Sequence, residues 1–294
     1  MIKKLLLPLL FVSLLAGAAP GSAAEPSATQ PFTIGYSQIV PIESTHTGRK
    51  HELVVILPAS YAANPDKKYP VFYYLDAYWD TPLVSAVYGN LIYDNQIPEM
   101  ILVGLSYPSS ANYDRERMID YTPTGAGEGS GKGRAFLDFI RSEVAPLIES
   151  RYRGSASDRV IGGSSLAGLF SVAAAYMAPD YFAAHIGISP AVLWDSEALF
   201  KTDSELAKAK KPLNSRMFVS YGSSEHKAFR EPIMRFQKQL GKRGYPGLAL
   251  QSYVMQDLDH AGVKADGYTR GLIWAWKAKK PAGPSGLDRA FTKP

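Results

Sequence analysis

The chain has 294 residues, of which 46% are hydrophobic, 20% are charged and 12% are aromatic. This composition is typical of a globular protein, and it excludes a disordered chain, a collagen-like repeat and a disulfide-stabilised miniprotein. Cysteine is absent, which excludes disulfides, thiolate metal sites and a cysteine nucleophile. The net charge of +5 is small and dispersed, so it does not indicate a nucleic-acid partner.

The first residues have the pattern of a secretory signal peptide. Lys3 and Lys4 precede an apolar run over residues 5–16, and small residues at 22–24 offer a cleavage site. The apolar run is short for a membrane span. We therefore expect residues 1–24 to be removed and the mature protein, without a membrane span, to be periplasmic or secreted. An uncleaved membrane anchor is the alternative.

The mature chain is predicted to form a single α/β domain over residues 32–280, after a polar lead-in at 25–31 and before a loose Pro- and Gly-rich tail at 281–294. Strand-like runs, rich in β-branched and aromatic residues, alternate with apolar segments of helical spacing. Strands are predicted over residues 51–57, 71–75, 100–105, 159–161, 185–188, 217–221 and 251–255, and helices over 135–151, 166–177, 229–243 and 268–279. This alternation predicts a mostly parallel central sheet with helices on both faces, in which functional sites form at the carboxyl ends of the strands.

A serine nucleophile is predicted between the strand at 159–161 and the helix at 166–177. The segment Gly163-Ser164-Ser165-Leu166-Ala167 is a variant of the G-x-S-x-G motif, in which Ser165 occupies a strained turn and small neighbours avoid a steric clash. The following helix directs its positive end towards this serine. Ser164 is the neighbouring candidate, but its own frame puts a leucine in the second small-residue position. A Gly/Ser-rich helix cap is the structural alternative.

A serine hydroxyl needs a base, and α/β-hydrolases carry their residues in the order serine, acid, histidine. Of the five histidines, His260 follows the last predicted strand and precedes the last helix, where the base is expected. Glu225 follows the strand at 217–221 and is the predicted acid, which would orient and stabilise the imidazole. Asp257 and Asp259 are competing acids, and a serine–histidine pair without a third member is also open.

Acyl transfer needs N–H donors for the oxygen of the tetrahedral intermediate. The backbone N–H of Leu166, the residue after the candidate nucleophile, is the first expected donor. The second is expected in the loop after the strand at 71–75, with Tyr78 as the first choice and Ala77 as the second. These are backbone roles, so the side chains at these positions carry little information about them.

Several stretches, taken in order, resemble the putative-esterase family of α/β-hydrolases. They are YPVFYYLDAYW, MILVGLSY followed by RERMIDYTPT, AFLDFIRSEVAPLIESRYR, RVIGGSSLAGLFS, ISPAVLWD, DHAG and TRGLIWAW. The family includes esterase-D-like enzymes, feruloyl esterases, mycolyltransferase antigens and siderophore esterases. The resemblance covers residues 69–276. The subgroup that the chain resembles most is the secreted or periplasmic siderophore esterases that open catecholate trilactones.

The resemblance implies an α/β-hydrolase fold and a serine hydrolase that uses no metal and no organic cofactor. By motif position it puts the nucleophile on Ser165, the base on His260 and the second oxyanion donor on Tyr78. A glutamate is the acid in some relatives, which supports Glu225.

The chain departs from the family pattern at two positions in these motifs. Ala167 replaces the second glycine of the serine motif, and Ala77 stands where relatives often have glycine. Either methyl group could narrow the site or slow catalysis, so both positions bear on the expected activity.

Aromatic and arginine side chains near the strand ends are candidates for substrate contact. The predicted substrate-binding set is Arg117, Trp79 and Trp194, with Tyr107, Tyr113 and Arg115 in the same region. Rings and guanidinium groups would suit an aromatic, anionic ester such as a ferric catecholate siderophore. The structural alternatives are an ion pair between Arg117 and Asp120 and core packing of the two tryptophans.

Three functions are consistent with these residues. The first is a serine esterase that cleaves a small-molecule ester, such as a ferric siderophore trilactone, through a Ser–His–acid acyl-enzyme mechanism. The second is an acyltransferase with the same triad, in which a sugar or lipid alcohol replaces water, a difference that only product analysis resolves. The third is a non-catalytic siderophore-binding protein of the same fold, against which the intact order of Ser165 and His260 argues.

Overall fold

Eight strands form one sheet in which six neighbouring strands run parallel. The computed structural model describes residues 33–292, so the predicted signal peptide and lead-in lie outside the described residues. The strands are β1 (Ser37–Glu43), β2 (Lys50–Ile56), β3 (Tyr69–Tyr74), β4 (Ile101–Ser106), β5 (Gly154–Ser164), β6 (Ala184–Ile188), β7 (Ser215–Gly222) and β8 (Leu248–Met255). Their order in the sheet is β1-β2-β4-β3-β5-β6-β7-β8. Strands β3 to β8 pair in parallel, whereas β1 with β2 and β2 with β4 pair antiparallel.

The inner parallel strands are apolar along their length because helices cover both faces of the sheet. All residues of β4 and of β6 are buried, which matches the continuous hydrophobic runs typical of a doubly covered parallel strand. In β1, at the edge of the sheet, only Val40 is buried. The predicted α/β fold with a mostly parallel sheet is confirmed, and the carboxyl ends of β3 to β8 share one edge.

Helices fill both layers around this sheet. The helices of the described residues are α1 (Ala77–Tyr93), α2 (Tyr113–Tyr121), α3 (Gly133–Phe139), α4 (Ala145–Arg151), α5 (Leu166–Met177), α6 (Trp194–Lys208), α7 (Lys227–Arg243), α8 (Val263–Trp276) and α9 (Gly286–Phe291). In β3, Phe72 packs with α1 and α8, whereas the next residue, Tyr73, packs with α3, α4 and α5 on the opposite face. Residues 34–292 form one compact unit.

Several helices lack the regular hydrophobic spacing from which a helix is predicted. The helix α1 contains Pro82, α2 is largely polar, and α6 begins with three residues of positive φ at 195–197. The predicted helix over 135–151 forms as α3 and α4, joined by a π-helical turn at Ile140–Val144. This irregular turn lies just before Pro146, which has no backbone N–H to donate to a helical hydrogen bond.

The segment expected to be a loose tail contains a short helix. Ser285 begins α9 with a capping box, in which its hydroxyl accepts from the Asp288 N–H at 3.0 Å and the Asp288 carboxylate accepts from the Ser285 N–H at 2.9 Å. Asn95, just beyond α1, donates a hydrogen bond to the carbonyl of Pro284. The tail is therefore attached to the domain over this stretch, and the expectation that it is loose is wrong there.

A histidine is buried in the centre of the sheet. His185 lies in β6 and is fully buried, and its Nδ1 donates to the carbonyl oxygen of Ser171 at 2.7 Å. Burial lowers the pKa of His185 from 6.5 to about 4, because the charged imidazolium loses its hydration. The unfolded chain therefore binds a proton at His185 in a pH range in which the folded chain does not.

We expect the free energy of unfolding to fall on acidification between pH 6.5 and 4, and His185 to supply part of this dependence. Replacing His185→Gln should reduce the stability difference between pH 7.5 and pH 5 by about 2 kcal/mol, because the unfolded state no longer gains that proton. Urea unfolding at the two pH values measures it, with the exposed His46→Gln variant as the control. An unchanged pH dependence in the His185 variant would contradict the prediction.

Candidate active site

Ser165 lies in a sharp turn between β5 and α5. Its φ of 62° and ψ of −122° are rarely adopted by residues other than glycine. Backbone hydrogen bonds hold this turn: the Ser165 N–H donates to the Ile188 carbonyl at 3.0 Å, and the Ser165 carbonyl accepts from the Ala191 N–H at 3.0 Å. Such a strained strand-to-helix turn presents a serine hydroxyl at the carboxyl edge of a sheet.

Steric contact explains the small residues around this turn. A Cβ on Gly163 would lie 2.5 Å from the Cβ of Ala167, and a Cβ on Gly168 would lie 2.9 Å from the carbonyl oxygen of Ile188. Both distances are shorter than non-bonded carbon contacts allow. Ala167 is itself fully buried, so the second small position of the motif accepts a methyl group because Gly163 has no side chain.

His260 and Glu225 are brought together by the loops that follow β8 and β7. The Nδ1 of His260 lies 2.6 Å from Oε1 of Glu225. The second carboxylate oxygen, Oε2, accepts from the Ser189 hydroxyl at 2.9 Å and from the Gly222 N–H at 3.0 Å. The Glu225 side chain is fully buried, whereas that of His260 is 43% exposed. The carboxylate therefore holds the imidazole in one orientation, which leaves Nε2 for proton transfer.

The loops that carry this pair pack closely against each other. A Cβ on Gly222 would lie 2.2 Å from the carbonyl oxygen of Leu258, and the Ser224 N–H donates to the same carbonyl at 3.1 Å. Phe229, in the first turn of α7, lies edge-on to the His260 ring, with the ring centroids 4.6 Å apart. Glycine at 222 therefore permits the approach that joins the two loops.

The competing acids make other contacts. Asp259 Oδ1 accepts from the backbone N–H of His260 at 2.7 Å, and the backbone N–H of Asp257 donates to Ser223 Oγ at 2.8 Å. Of the three acids that the sequence leaves open, Glu225 is the one whose carboxylate meets the imidazole.

The candidate residues follow consecutive strands along the carboxyl edge. Ser165, Ser189, Glu225 and His260 come after β5, β6, β7 and β8, which are neighbours in that order. Within residues 33–292 the Ser165 hydroxyl makes no hydrogen bond, including none to His260. Active sites often form this contact only with substrate bound.

Two helices that start at the same edge offer N–H groups. The first N–H groups of a helix have no acceptor inside it, and α1 and α5 begin directly beyond the neighbouring parallel strands β3 and β5. The backbone N–H groups of Ala77, Tyr78 and Leu166 have no acceptor in the described part of the chain. All three positions therefore fit the predicted oxyanion donors.

Arg117 pairs with Asp76 and not with Asp120, so the structural alternative of an Arg117–Asp120 ion pair is wrong. Its Nε and Nη2 donate to the two carboxylate oxygens of Asp76 at 2.9 and 2.6 Å. Asp120 is bound instead by Arg49 and by the hydroxyl of Tyr107. Burial raises the pKa of the Asp76 carboxyl, an effect that Arg117 partly offsets.

The predicted aromatic contacts differ in exposure. Trp79 is 44% exposed, and Tyr78 is 57% exposed and stacks on Tyr113 with the ring centroids 4.1 Å apart. Trp194 is half-buried, and its Nε1 donates to the Thr124 carbonyl at 2.9 Å. The surface beside Tyr78 and Trp79 is therefore available to a ligand, whereas Trp194 is bound to the protein backbone.

Sequence reasoning missed Ser189 and Asp76. Ser189 donates to Glu225 from a backbone of positive φ, 41°, and Asp76 also has a positive φ, 55°. Both residues directly follow the predicted strands at 185–188 and 71–75. Their position at strand carboxyl ends was the one available signal.

No group of three or more His, Asp or Glu side chains between residues 33 and 292 could hold a metal ion. None of the helices described above is long and apolar enough to cross a membrane.

Residues 44–245 match the family described as "Putative esterase". The chain belongs to this family, and it is a carboxylic ester hydrolase. This esterase is 26% identical over 223 residues to the ferri-bacillibactin esterase BesA of Bacillus subtilis, a match that covers 67% of this chain and 74% of that protein. It is 32% identical over 133 residues to the siderophore triacetylfusarinine C esterase of Aspergillus fumigatus, covering 42% of this chain and 46% of that protein.

Among solved structures, the esterase resembles the BES protein from Bacillus cereus. The TM-score is 0.76 at 21% identity, and the match covers 85% of this chain and 98% of that chain. At this identity the likeness shows the fold. The resemblance to siderophore esterases and the α/β-hydrolase fold, both predicted from the sequence, are confirmed.

We expect Gly163→Ala to destabilise the esterase by about 1–3 kcal/mol, because the added Cβ overlaps that of Ala167. The double variant Gly163→Ala/Ala167→Gly should recover part of this loss, since the Cβ clash is removed while contacts of 3.0 and 3.1 Å with the backbone of residue 167 persist. Urea unfolding of the two single variants and the double variant measures the coupling. A Gly163→Ala variant as stable as the wild type would contradict the steric explanation.

Proposed function

We propose that this esterase is an exported serine hydrolase that opens the ester bonds of ferric catecholate trilactones. Ser165 is the nucleophile, His260 the general base and Glu225 the acid of the triad. The backbone N–H groups of Leu166 and Tyr78 form the oxyanion hole. The observation that carries the mechanism is the 2.6 Å contact between His260 Nδ1 and the buried carboxylate of Glu225, at the same sheet edge as the strained Ser165.

In the first half of the reaction, Ser165 Oγ attacks the ester carbonyl while its proton moves to Nε2 of His260. The carbonyl electron pair moves onto oxygen, where the N–H groups of Leu166 and Tyr78 stabilise the negative charge. The intermediate collapses, the bond to the alkoxy oxygen breaks, and His260 returns the proton to the leaving alcohol. Glu225 stabilises the imidazolium throughout and keeps its own negative charge.

In the second half, water attacks the acyl-enzyme and gives its proton to Nε2 of His260. A second oxyanion forms and collapses, Ser165 leaves with that proton, and the free carboxylic acid is released. A trilactone thereby gains one water and opens to a linear ester. Two further cycles yield three monomers.

Two observations support an aromatic siderophore ester as the substrate. The matched relatives are described as esterases of ferri-bacillibactin and of the siderophore triacetylfusarinine C. The rings of Tyr78 and Trp79 are exposed directly beside the expected oxyanion donor, where the aromatic acyl arm of a bound ester can stack on them. The sequence pattern at residues 1–24 supports export, so the mature enzyme would meet the siderophore in the periplasm or outside the cell.

The first prediction of this proposal is that Ser165→Ala abolishes ester cleavage. The ferric complex of a catecholate trilactone and p-nitrophenyl butyrate should both remain intact, whereas Ser164→Ala retains activity within about threefold. Ser164 is the matched control because its hydroxyl is buried and has no hydrogen-bond partner in the described chain, so its removal leaves the reacting groups in place.

The measurement is product analysis by liquid chromatography and mass spectrometry with purified mature protein. Linear trimer, dimer and monomer acids are the expected products. Cleavage that survives Ser165→Ala would overturn the mechanism. Cleavage of the simple ester alone would leave the mechanism in place and overturn the trilactone substrate, and transfer of the acyl group to an added alcohol in preference to water would identify an acyltransferase.

The second prediction concerns the acid of the triad. Glu225→Gln should lower kcat by about 10²–10⁴-fold with little change in KM, because the amide cannot stabilise the imidazolium. The matched controls Asp257→Asn and Asp259→Asn should keep kcat within about threefold. Steady-state kinetics of the three variants tests this, and a larger loss in the Asp259 variant than in the Glu225 variant would assign the acid to Asp259.

A further inference from the structure

The loop between β3 and α1 is held by hydrogen bonds to one residue of left-handed conformation. Asp76 has a φ of 55° and a ψ of 37°. Its N–H donates to the hydroxyl of Tyr121 at 3.1 Å, and its carbonyl oxygen accepts from the N–H groups of Trp79 and Asp80 at 2.9 and 3.0 Å. Its carboxylate accepts both hydrogen bonds of the Arg117 fork. Every polar group of Asp76 is therefore engaged.

The two residues inside this framework are the ones whose N–H groups stay unbonded. The N–H groups of Trp79 and Asp80 turn back onto the Asp76 carbonyl, whereas those of Ala77 and Tyr78 have no acceptor among residues 33–292. The direction of these two N–H groups follows from the backbone angles of Asp76, because that residue sets where the helix begins. A change at Asp76 is therefore expected to change the direction in which the backbone N–H of Tyr78, the predicted oxyanion donor, points.

A second ion pair holds the same turn from the other side. The Asp80 carboxylate accepts from Lys264 Nζ at 2.7 Å and from the Tyr268 hydroxyl at 2.8 Å, both on α8. Arg117 and Lys264 also lie over the Trp79 ring, at 5.2 and 5.9 Å from its centroid. The start of α1 is thus bound to α2 through the Arg117–Asp76 pair and to α8 through the Lys264–Asp80 pair.

We propose that Arg117 is a positioning residue for the oxyanion hole, acting through Asp76 and not by contact with substrate. The inference rests on the proposed function, since it takes Ser165 as the nucleophile and Tyr78 as a donor. The predicted substrate contact of Arg117 is replaced by this role because its fork is already occupied by Asp76. The exposed fractions of the two side chains, 14% for Arg117 and 5% for Asp76, leave little of the pair open to a ligand.

Arginine is required in this role because of its planar geometry. Two parallel N–H···O bonds fix both the distance and the rotation of a carboxylate, whereas the ammonium of lysine is a point donor that leaves rotation free. A lysine at position 117 would keep the charge and lose the orientation. Oxyanion stabilisation depends on donors held in place before the reaction, so a loose loop weakens binding of the transition state more than binding of the substrate.

The chain contains a matched control pair on the same helix. Arg49 binds Glu116 and Asp120 of α2 through its two terminal nitrogens, and Asp120 is fully buried. This pair joins α2 to the loop before β2 and has no hydrogen bond to Asp76. Arg49→Lys therefore weakens a buried Arg–Asp pair of the same chemistry without disturbing the oxyanion loop.

The test compares Arg117→Lys with Arg49→Lys on p-nitrophenyl butyrate, per folded molecule measured by thermal unfolding. We expect Arg117→Lys to lower kcat by about 10–100-fold with KM unchanged within twofold, and to lower the affinity for phenylboronic acid, which forms a tetrahedral anion on the serine, by the same factor. Arg49→Lys should keep both values. If Arg117→Lys does not fold, Asp76→Asn removes the charge-assisted pair while asparagine tolerates the left-handed backbone, and the same loss of kcat is expected.

Three results would overturn the proposal. A rise in KM with unchanged kcat would make Arg117 a substrate contact. Equal losses in the Arg49 and Arg117 variants would make the pair a support of the fold alone. Independent effects of Asp76→Asn and Arg117→Met in a double-mutant cycle would show that the two residues do not act as a unit. Failure of the proposed function is seen separately, because wild-type activity would then survive Ser165→Ala.

Discussion

The parallel pairing of β3 to β8 is the constraint on which the candidate active site depends. Since these strands all end at one edge, residues far apart in the chain meet there without any specific attraction between them: Asp76 follows β3, Ser165 follows β5, Ser189 follows β6, Glu225 follows β7 and His260 follows β8. Backbone hydrogen bonds space neighbouring strands by about 4.8 Å. The sheet therefore sets the position of each residue along the edge, and the loops need to supply only the last few ångströms.

Buried charge then determines the orientation of the side chains. An unpaired carboxylate away from water is costly, so each buried acid at this edge is surrounded by donors. Glu225 is bound by His260 on one oxygen and by Ser189 on the other, and Asp76 receives the fork of Arg117. The same bonds that satisfy these acids remove their freedom to rotate, which suits a mechanism that relies on donors and a base fixed before the reaction begins.

The residues held at this sheet edge also include strained backbone conformations and glycines in close contact with their neighbours. Ser165 and Asp76 both have positive φ, and Gly163 and Gly222 each sit where a Cβ would overlap a neighbour. The surrounding packing keeps these conformations, since α5 is buried over most of its length. Motif reasoning could anticipate the strain at Ser165, because a short sequence pattern encodes that turn. It could not anticipate Asp76, because no local pattern distinguishes a left-handed aspartate from an ordinary loop residue.

The sequence by itself determined the α/β class, the order of the main strands and helices, and the candidacy of Ser165 and His260, because hydrophobic periodicity and the serine motif depend on residues close in the chain. It missed β1, α1, α2, α6 and α9. Proline interrupts β1 and α1, α2 is mostly polar, α6 begins with residues of positive φ, and α9 lies in the Pro- and Gly-rich tail. Only the tertiary structure decided that Glu225, 35 residues from His260, is the acid that meets the imidazole, and that Arg117 pairs with Asp76, 41 residues away. These pairings depend on which loops share a sheet edge and how each side chain is oriented there, and neither is encoded in the spacing of residues along the chain.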